Sequence, residues 1–239
     1  MTSDESLDSL RRFMEARLYE WRQSERRRLS PPGPVITISR EPGCRGESIA
    51  EKVAAQLDFH LYTWEIVEQI AKDEHVSVQV VATLDEKARS RLDDWLAAFE
   101  GNHNLSTEAY HDDLKKVIFA IASHGSAIIL GRGANFLLPP ENHIGLYLVA
   151  PLAVRIRNVM EDRGLSEKGA REHIAKVEKE HRQLVMENFQ ADMREPAQYH
   201  LVINTALVTP ETIAGIIKEV IGANRKAAHP GGLGRAKSA

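Results

Sequence analysis

Residues 35–57 constrain this chain more than any other stretch. Val35-Ile36-Thr37-Ile38 is a short apolar, β-branched run preceded by Pro31, Pro32 and Pro34. The segment 39–50, SREPGCRGESIA, carries two glycines, and Ile49, Val53, Ala54 and Leu57 then recur at the spacing of one helix face. A strand, a glycine-containing loop and a helix, in that order, make a place for an anion. The loop's N–H groups and the helix N-terminus both present partial positive charge.

The loop departs from the usual phosphate-binding pattern of Gly, four residues, Gly-Lys and then Ser or Thr. Aligned on Gly46 and Ser48, the first glycine becomes Glu41 and the lysine becomes Glu47. Gly43, Gly46 and the Ser48 hydroxyl survive. Arg40 and Arg45 flank the loop, and either can supply the missing positive charge. Taken alone, the stretch also reads as a tight turn that binds nothing. Cys44 is the one cysteine, which excludes an internal disulfide and a Cys-cluster metal site. Its place in the loop suggests a small residue near the ligand.

The 239 residues, 43% hydrophobic and 27% charged, suit one α/β domain with insertions or two small domains. A formal net charge of −3 argues against a dedicated nucleic-acid binder. The first thirty residues lack the apolar core of a signal peptide, and no apolar run approaches the roughly 18 residues of a membrane span. The expected location is therefore cytoplasmic, without a membrane partner. No His-x-x-x-His spacing, Gly-x-Ser-x-Gly elbow or third glycine after Gly131-x-Gly133 is present, which leaves zinc, serine-hydrolase and dinucleotide sites unsupported.

Read in order, residues 4–29 predict a charged amphipathic helix. Its apolar stripe of Leu7, Leu10, Met14, Leu18 and Trp21 would pack on the main domain or on a second subunit as a homo-oligomer contact. After the loop and its helix come a strand over 59–62, a helix over 64–74, and a mostly helical stretch over 77–124 broken at 101–104. Strands follow over 126–130 and 144–149, then helices over 152–162 and 166–190, a strand over 199–204 and a helix over 210–221. The tail from 224, with Gly231, Gly232 and Gly234, reads as disordered. Strands alternating with helices predict an α/β fold with a mostly parallel sheet covered on both faces, its ligand at the carboxyl ends of the strands. That rule gathers residues 40–48, Gly131 to Gly133, Ala150-Pro151 and Asn204-Thr205 around one crevice.

In order and spacing, the segments TISREPGCRGESIAEKVAAQL, AIILGRGANFLL, IGLYLVAPLAVRIRNVM and YHLVINTALVTPETIAGII resemble the cytidylate kinase-like family over roughly residues 35–221. Leu84-Asp85-Glu86-Lys87 also looks like a family feature. The resemblance implies a P-loop NTPase-like three-layer sandwich whose parallel five-stranded sheet is flanked by helices. It also implies a helical acceptor-binding insertion at about 60–125 and a lid at about 162–195, with the domain spanning 34–222. The ligands so implied are ATP and Mg²⁺, with CMP, dCMP or a related small acceptor. Gly43, Cys44, Arg45, Gly46, Glu47 and Ser48 would cradle the donor phosphates, and Ser48 would ligate Mg²⁺. Arg132 would hold the acceptor's phosphate, with Asp85 on the acceptor side. The aspartate that often follows that arginine is Gly133 here.

Arg40, Arg45, Arg155 and Arg182 are the catalytic candidates, because phosphoryl transfer needs alignment and cations on the transferring group, and arginine donates in a planar fork. In the lid segment EKEHR, His181 stands where an arginine is expected and Arg182 is the neighbouring substitute. A surface ion pair is the competing reading for each arginine taken singly. Two rival functions stay open: a catalytically degenerate nucleotide-binding regulator or scaffold, motivated by Glu41 and Glu47, and a kinase for another small acceptor.

Overall fold

The computed structural model describes residues 12–23, 33–102, 109–131 and 133–228. Residues 12–23 are helical (α1). There follow β1 (Val35–Arg40), α2 (Gly46–Leu57), β2 (His60–Thr63), α3 (Trp64–Lys72), α4 (Glu74–Ala82), α5 (Glu86–Asn102) and α6 (Ala109–His124). The second half comprises β3 (Ala127–Leu130), α7 (Ala134–Leu137), β4 (Ile144–Val149), α8 (Leu152–Arg163), α9 (Glu167–Phe189), β5 (Leu201–Asn204) and α10 (Pro210–Ala228).

The strands form one parallel sheet in the order β2-β3-β1-β4-β5. Period-2 alternation divides their side chains between two cores. Val35, Ala127 and Ile129 face a cluster shared with α1 and α3 to α7, whereas Ile36, Ile38, Ile128 and Leu130 face α2 and α10. Burial on both faces explains why β1, β3 and β4 read as continuous apolar runs. β1 is central, with β3 on one side and β4 on the other, so the loop after it opens at the crevice where such sheets bind ligands. The expected three-layer arrangement is the one observed.

Several boundaries differ from the sequence expectation. The helix over 64–74 stops at Lys72 because the Asp73 carboxylate turns back to accept from Val76 N at 3.2 Å and starts α4. The last helix runs through Ala228, so residues 224–228 are helical rather than part of a disordered tail; an isolated Gly222 does not stop a helix continued by Ala-Asn-Arg-Lys-Ala-Ala. The short α7 was not anticipated. Of the helix expected over 4–29, only 12–23 lies within the described residues; Leu7 and Leu10 fall outside them. Met14, Leu18 and Trp21 are buried in the chain's own core, with Trp21 stacked on His124 at 4.2 Å and Arg17 hydrogen-bonded to the His60 ring. The stripe thus packs on the main domain, the first of the two placements expected of it. No described helix is long and apolar enough to cross a membrane.

Candidate active site

The loop between β1 and α2 is shaped by two left-handed residues. Gly43 has φ +85°, and a Cβ there would also lie 2.7 Å from the Arg155 carbonyl oxygen, so both conformation and close approach require glycine. Arg45 has φ 56°, a conformation that costs a non-glycine residue on the order of 1 kcal/mol, and it precedes α2 with no capping side chain. The first turn of α2 therefore opens toward solvent, where Glu47 and the Ser48 hydroxyl are exposed on a cleft of about 980 Å³.

Beneath the loop, polar groups are paired with one another. Glu41 Oε2 accepts from Ala150 N at 3.0 Å and lies 3.3 Å from Arg155 Nε. Arg155, which is buried, also donates to the Ala150 and Pro42 carbonyls and, at 2.6 Å, to Glu178 on α9. Asn158 donates to the Gly43 carbonyl, and Thr205 to that of Cys44. The Cys44 side chain points down into the sheet's core at 1% exposure, and burial pushes its thiol up to about 11. Cys44 thus contributes backbone to the loop, while its sulfur packs in the core. Arg155 ties loop, sheet and α9 together. Glu41, at the position of the loop's first glycine, completes this brace with its carboxylate.

On the open side, Arg40 and His181 line all three cavities of the crevice. Arg40 leaves the end of β1 and lies across the loop. A Cβ on Gly46 would fall 2.8 Å from Arg40 Cδ, and one on Gly131 would fall 3.0 Å from Arg40 Nη1. Burial lowers the Arg40 pKa, opposed by the carboxylates of Glu65 and Glu47, and an arginine stays protonated through such a shift. Arg45, the other candidate for the missing lysine, turns outward to Glu161 at 2.5 Å and Asp162 at 3.2 Å.

The second cavity, about 270 Å³, adjoins Arg40 and is walled by Trp64, Leu184, Val185 and Met193. The third, about 200 Å³, contains Arg182 and Arg194. Asp85 is elsewhere: its carboxylate caps α5, accepting from Ala88 N at 2.7 Å, and it is absent from the walls of these cavities. Arg132 lies outside the described residues. Ala150 and Thr205 converge on the loop as expected, but they brace it from behind. Among the described residues no group of three or more His, Cys, Asp or Glu side chains could hold a metal ion.

Among the lining residues that sequence reasoning did not place at the site are Trp64 and His181. For His181 a signal existed. Ala170, Ile174 and Val185 are the buried positions of α9, and His181 follows Ile174 by seven and precedes Val185 by four, on the same face. Arg182 is rotated about 100° away and is exposed. Trp64, the first residue of α3, stands directly after a β2 strand too short to fix which way it faces.

Comparison with known proteins gives three findings. The model of the cytidylate kinase-like family matches residues 35–207. The cytidylate kinase of Pyrococcus horikoshii is 26% identical over 188 residues, 78% of this chain and 88% of that one; that of Sulfolobus acidocaldarius is 28% identical over 195 residues, 81% and 96% of the two chains. The crystal structure of an uncharacterized protein from Eubacterium ventriosum superposes with a TM-score of 0.63 at 22% identity, covering 80% of this chain and 98% of that one, a likeness of fold.

Proposed function

The chain belongs to the cytidylate kinase-like family, and from that premise we propose that it transfers the γ-phosphate of ATP to a nucleoside monophosphate, CMP or dCMP. The observation that carries the reading is Arg40, lying over the loop where the donor cleft meets the smaller chamber. The relatives' names, cytidylate kinase, support the acceptor.

In this reading the donor's phosphates lie along the loop, against the first-turn N–H groups of α2. The acceptor's phosphate oxygen attacks the γ-phosphorus in line, its bond forming as the bond to the β–γ bridging oxygen breaks, and ADP leaves. The protein's share is positioning and charge. Arg40 contributes the cation that the loop lacks, reaching the phosphates from the strand rather than from the helix. His181 meets the same point from the lid, and Arg155 keeps the loop at the right height by holding Glu41 and Glu178.

Mg²⁺ supplies neutralisation of the donor phosphates when bound. The residues present fit it: Ser48, Glu47 and Glu51 bring hard oxygen donors to the same cleft. Mg²⁺ is usually held by one or two protein oxygens, substrate phosphates and water rather than by an all-protein cage.

The test is to mix the full chain with Mg-ATP and a panel of nucleoside monophosphates and follow ADP formation, with Arg40→Met as control. Turnover on CMP or dCMP that the substitution lowers by about 10²–10³, with the circular dichroism spectrum retained, is the expected result. Absence of Mg-ATP binding in calorimetry at high protein concentration would overturn the reading. The second reading, a nucleotide-binding regulator, draws on the ion pairs that already occupy Arg45 and Arg155, and expects Mg-ATP binding without ADP formation.

A further inference from the structure

A buried amide outside the crevice gathers three distant parts of the chain. Asn135 stands on α7, the short helix that begins at the Gly133 turn, and is 7% exposed. Its Oδ1 accepts from the Thr37 hydroxyl of β1 at 3.3 Å, with His143 Nε2 at the same distance. Its Nδ2 donates to the Gln198 carbonyl, 63 residues on, at 2.9 Å. The fold makes room for this amide. A Cβ on Gly145 of β4 would fall 2.1 Å from Asn135 Oδ1, so a side chain there would push the amide off its partners.

Gln198 closes the segment that follows α9. That helix ends at Phe189, and the chain turns at Gln190 in the left-handed region, φ 52°. Phe189 stacks on Phe136, the residue after Asn135, at 5.7 Å. At the far end the Tyr199 hydroxyl donates to the Met193 carbonyl at 2.8 Å, and its ring lies edge-on to Phe136 at 6.1 Å. Two consecutive residues of α7 thus hold both ends of residues 190–198. Between those ends stand Met193 and Arg194. Met193 walls the chambers of about 270 and about 200 Å³ and Arg194 walls the smaller, whereas neither borders the donor cleft.

We propose that Asn135 is a positioning residue for phosphoryl transfer: through the Gln198 carbonyl it fixes the segment after α9, and so sets the acceptor side of the crevice without touching substrate. The inference rests on the nucleoside monophosphate kinase reading and deepens it. In that reading the donor fills the large cleft and leaves the smaller chambers to the acceptor. A buried polar group that loses its partner carries the full cost of desolvation, so the amide holds the segment to one arrangement. A shift of about 1 Å in a positioning group can cost about 10²-fold in rate. The links to Thr37 and to Gln198 use different atoms of one amide, so each can be cut alone.

The measurement is steady-state kinetics of the full chain with Mg-ATP and CMP. Asn135→Asp keeps the shape and the acceptor for Thr37 but removes the donor to Gln198. It should lower kcat/KM for CMP about ten- to a hundredfold and leave KM for Mg-ATP within about twofold. Thr37→Val cuts the other link; it should lower the urea midpoint and leave kcat and both KM values within about twofold. Unchanged CMP kinetics in a folded Asn135→Asp, or an equal rise in KM for both substrates, would overturn the proposal and leave the kinase reading standing. A loss in Thr37→Val as large as that in Asn135→Asp would overturn it too, because the amide would then act through the core. Should Asn135→Asp fail to fold by circular dichroism, Phe136→Leu decides, since it loosens the other end of the same segment: a loss confined to CMP supports the proposal, and none overturns it. No ADP formation by the unaltered protein with any nucleoside monophosphate would remove the kinase reading and this inference together.

Discussion

The two sides of one five-residue loop are built by different chemistry. Underneath, Glu41, Arg155, Asn158 and Thr205 bind each other and the loop's carbonyls. On top, Arg40 lies across two glycines, and the first turn of α2 is uncapped. The same residue type therefore does opposite work around one cavity. Arg155 is held by two carboxylates and fixes shape, whereas Arg40 faces the crevice and presents charge. Binding a polyanion as proposed, without collapse of the site, calls for both, because cations left facing one another would otherwise repel or find internal partners.

Removing the brace should have the largest effect on stability. Arg155→Met leaves the Glu41 and Glu178 carboxylates without their cation, and because Glu178 is 38% exposed the expected cost sits at the low end for a broken buried pair, about 3 kcal/mol in urea unfolding. A loss below about 1 kcal/mol would dissolve the distinction between the two sides. The Arg40→Met variant sharpens it from the other direction, since its loss should appear in kcat.

A region far from the loop supplies a contrast in pH response. Burial lowers His124, stacked on Trp21 and hydrogen-bonded to Thr83, to about 4. Between about pH 6.5 and about 4 the unfolded chain binds the proton that folded His124 refuses, so stability is complete above that window and falls as pH drops through it. The expected slope from this residue is about 1.4 kcal/mol per pH unit. Unfolding measured from pH 7 to 4.5 should show it, and His124→Gln should flatten it; an unchanged slope in the variant would remove His124 as the cause.

The smallest effect belongs to the rim. Arg45 pairs with Glu161 and Asp162, but all three side chains are about half exposed, so Arg45→Ala should cost less than about 1 kcal/mol and leave ADP formation within a few-fold of the unaltered protein. A loss of a hundredfold or more in kcat would mean that Arg45 leaves its carboxylates to act on the donor.

Sequence reading located the loop because the evidence for it is local: a β-branched run, two glycines and a helical stripe within twenty-odd residues. β1, β3 and β4 were legible for the same reason, being apolar on both faces. Roles were less legible because they depend on partners far along the chain. Nothing near Arg155 announces Glu178, and nothing near Glu41 announces the Ala150 N–H. Asp85 looked like a ligand-binding acid, yet an aspartate three residues before Ala88 is as well explained as a helix cap. His181 lost to Arg182 on charge alone, although the phase of α9 favours the histidine.

The central place of β1 also sets an order of events. Its two neighbours begin at Ala127 and Ile144, so the strand that carries the loop waits for about 90 residues to be made before it can pair. At synthesis rates of about 5–20 residues per second, that is roughly 5 to 20 s of exposed apolar strand on a growing chain. Contacts of such long sequence separation also slow refolding of the complete protein. The most central strand in space is thus the one that waits longest for its first partner.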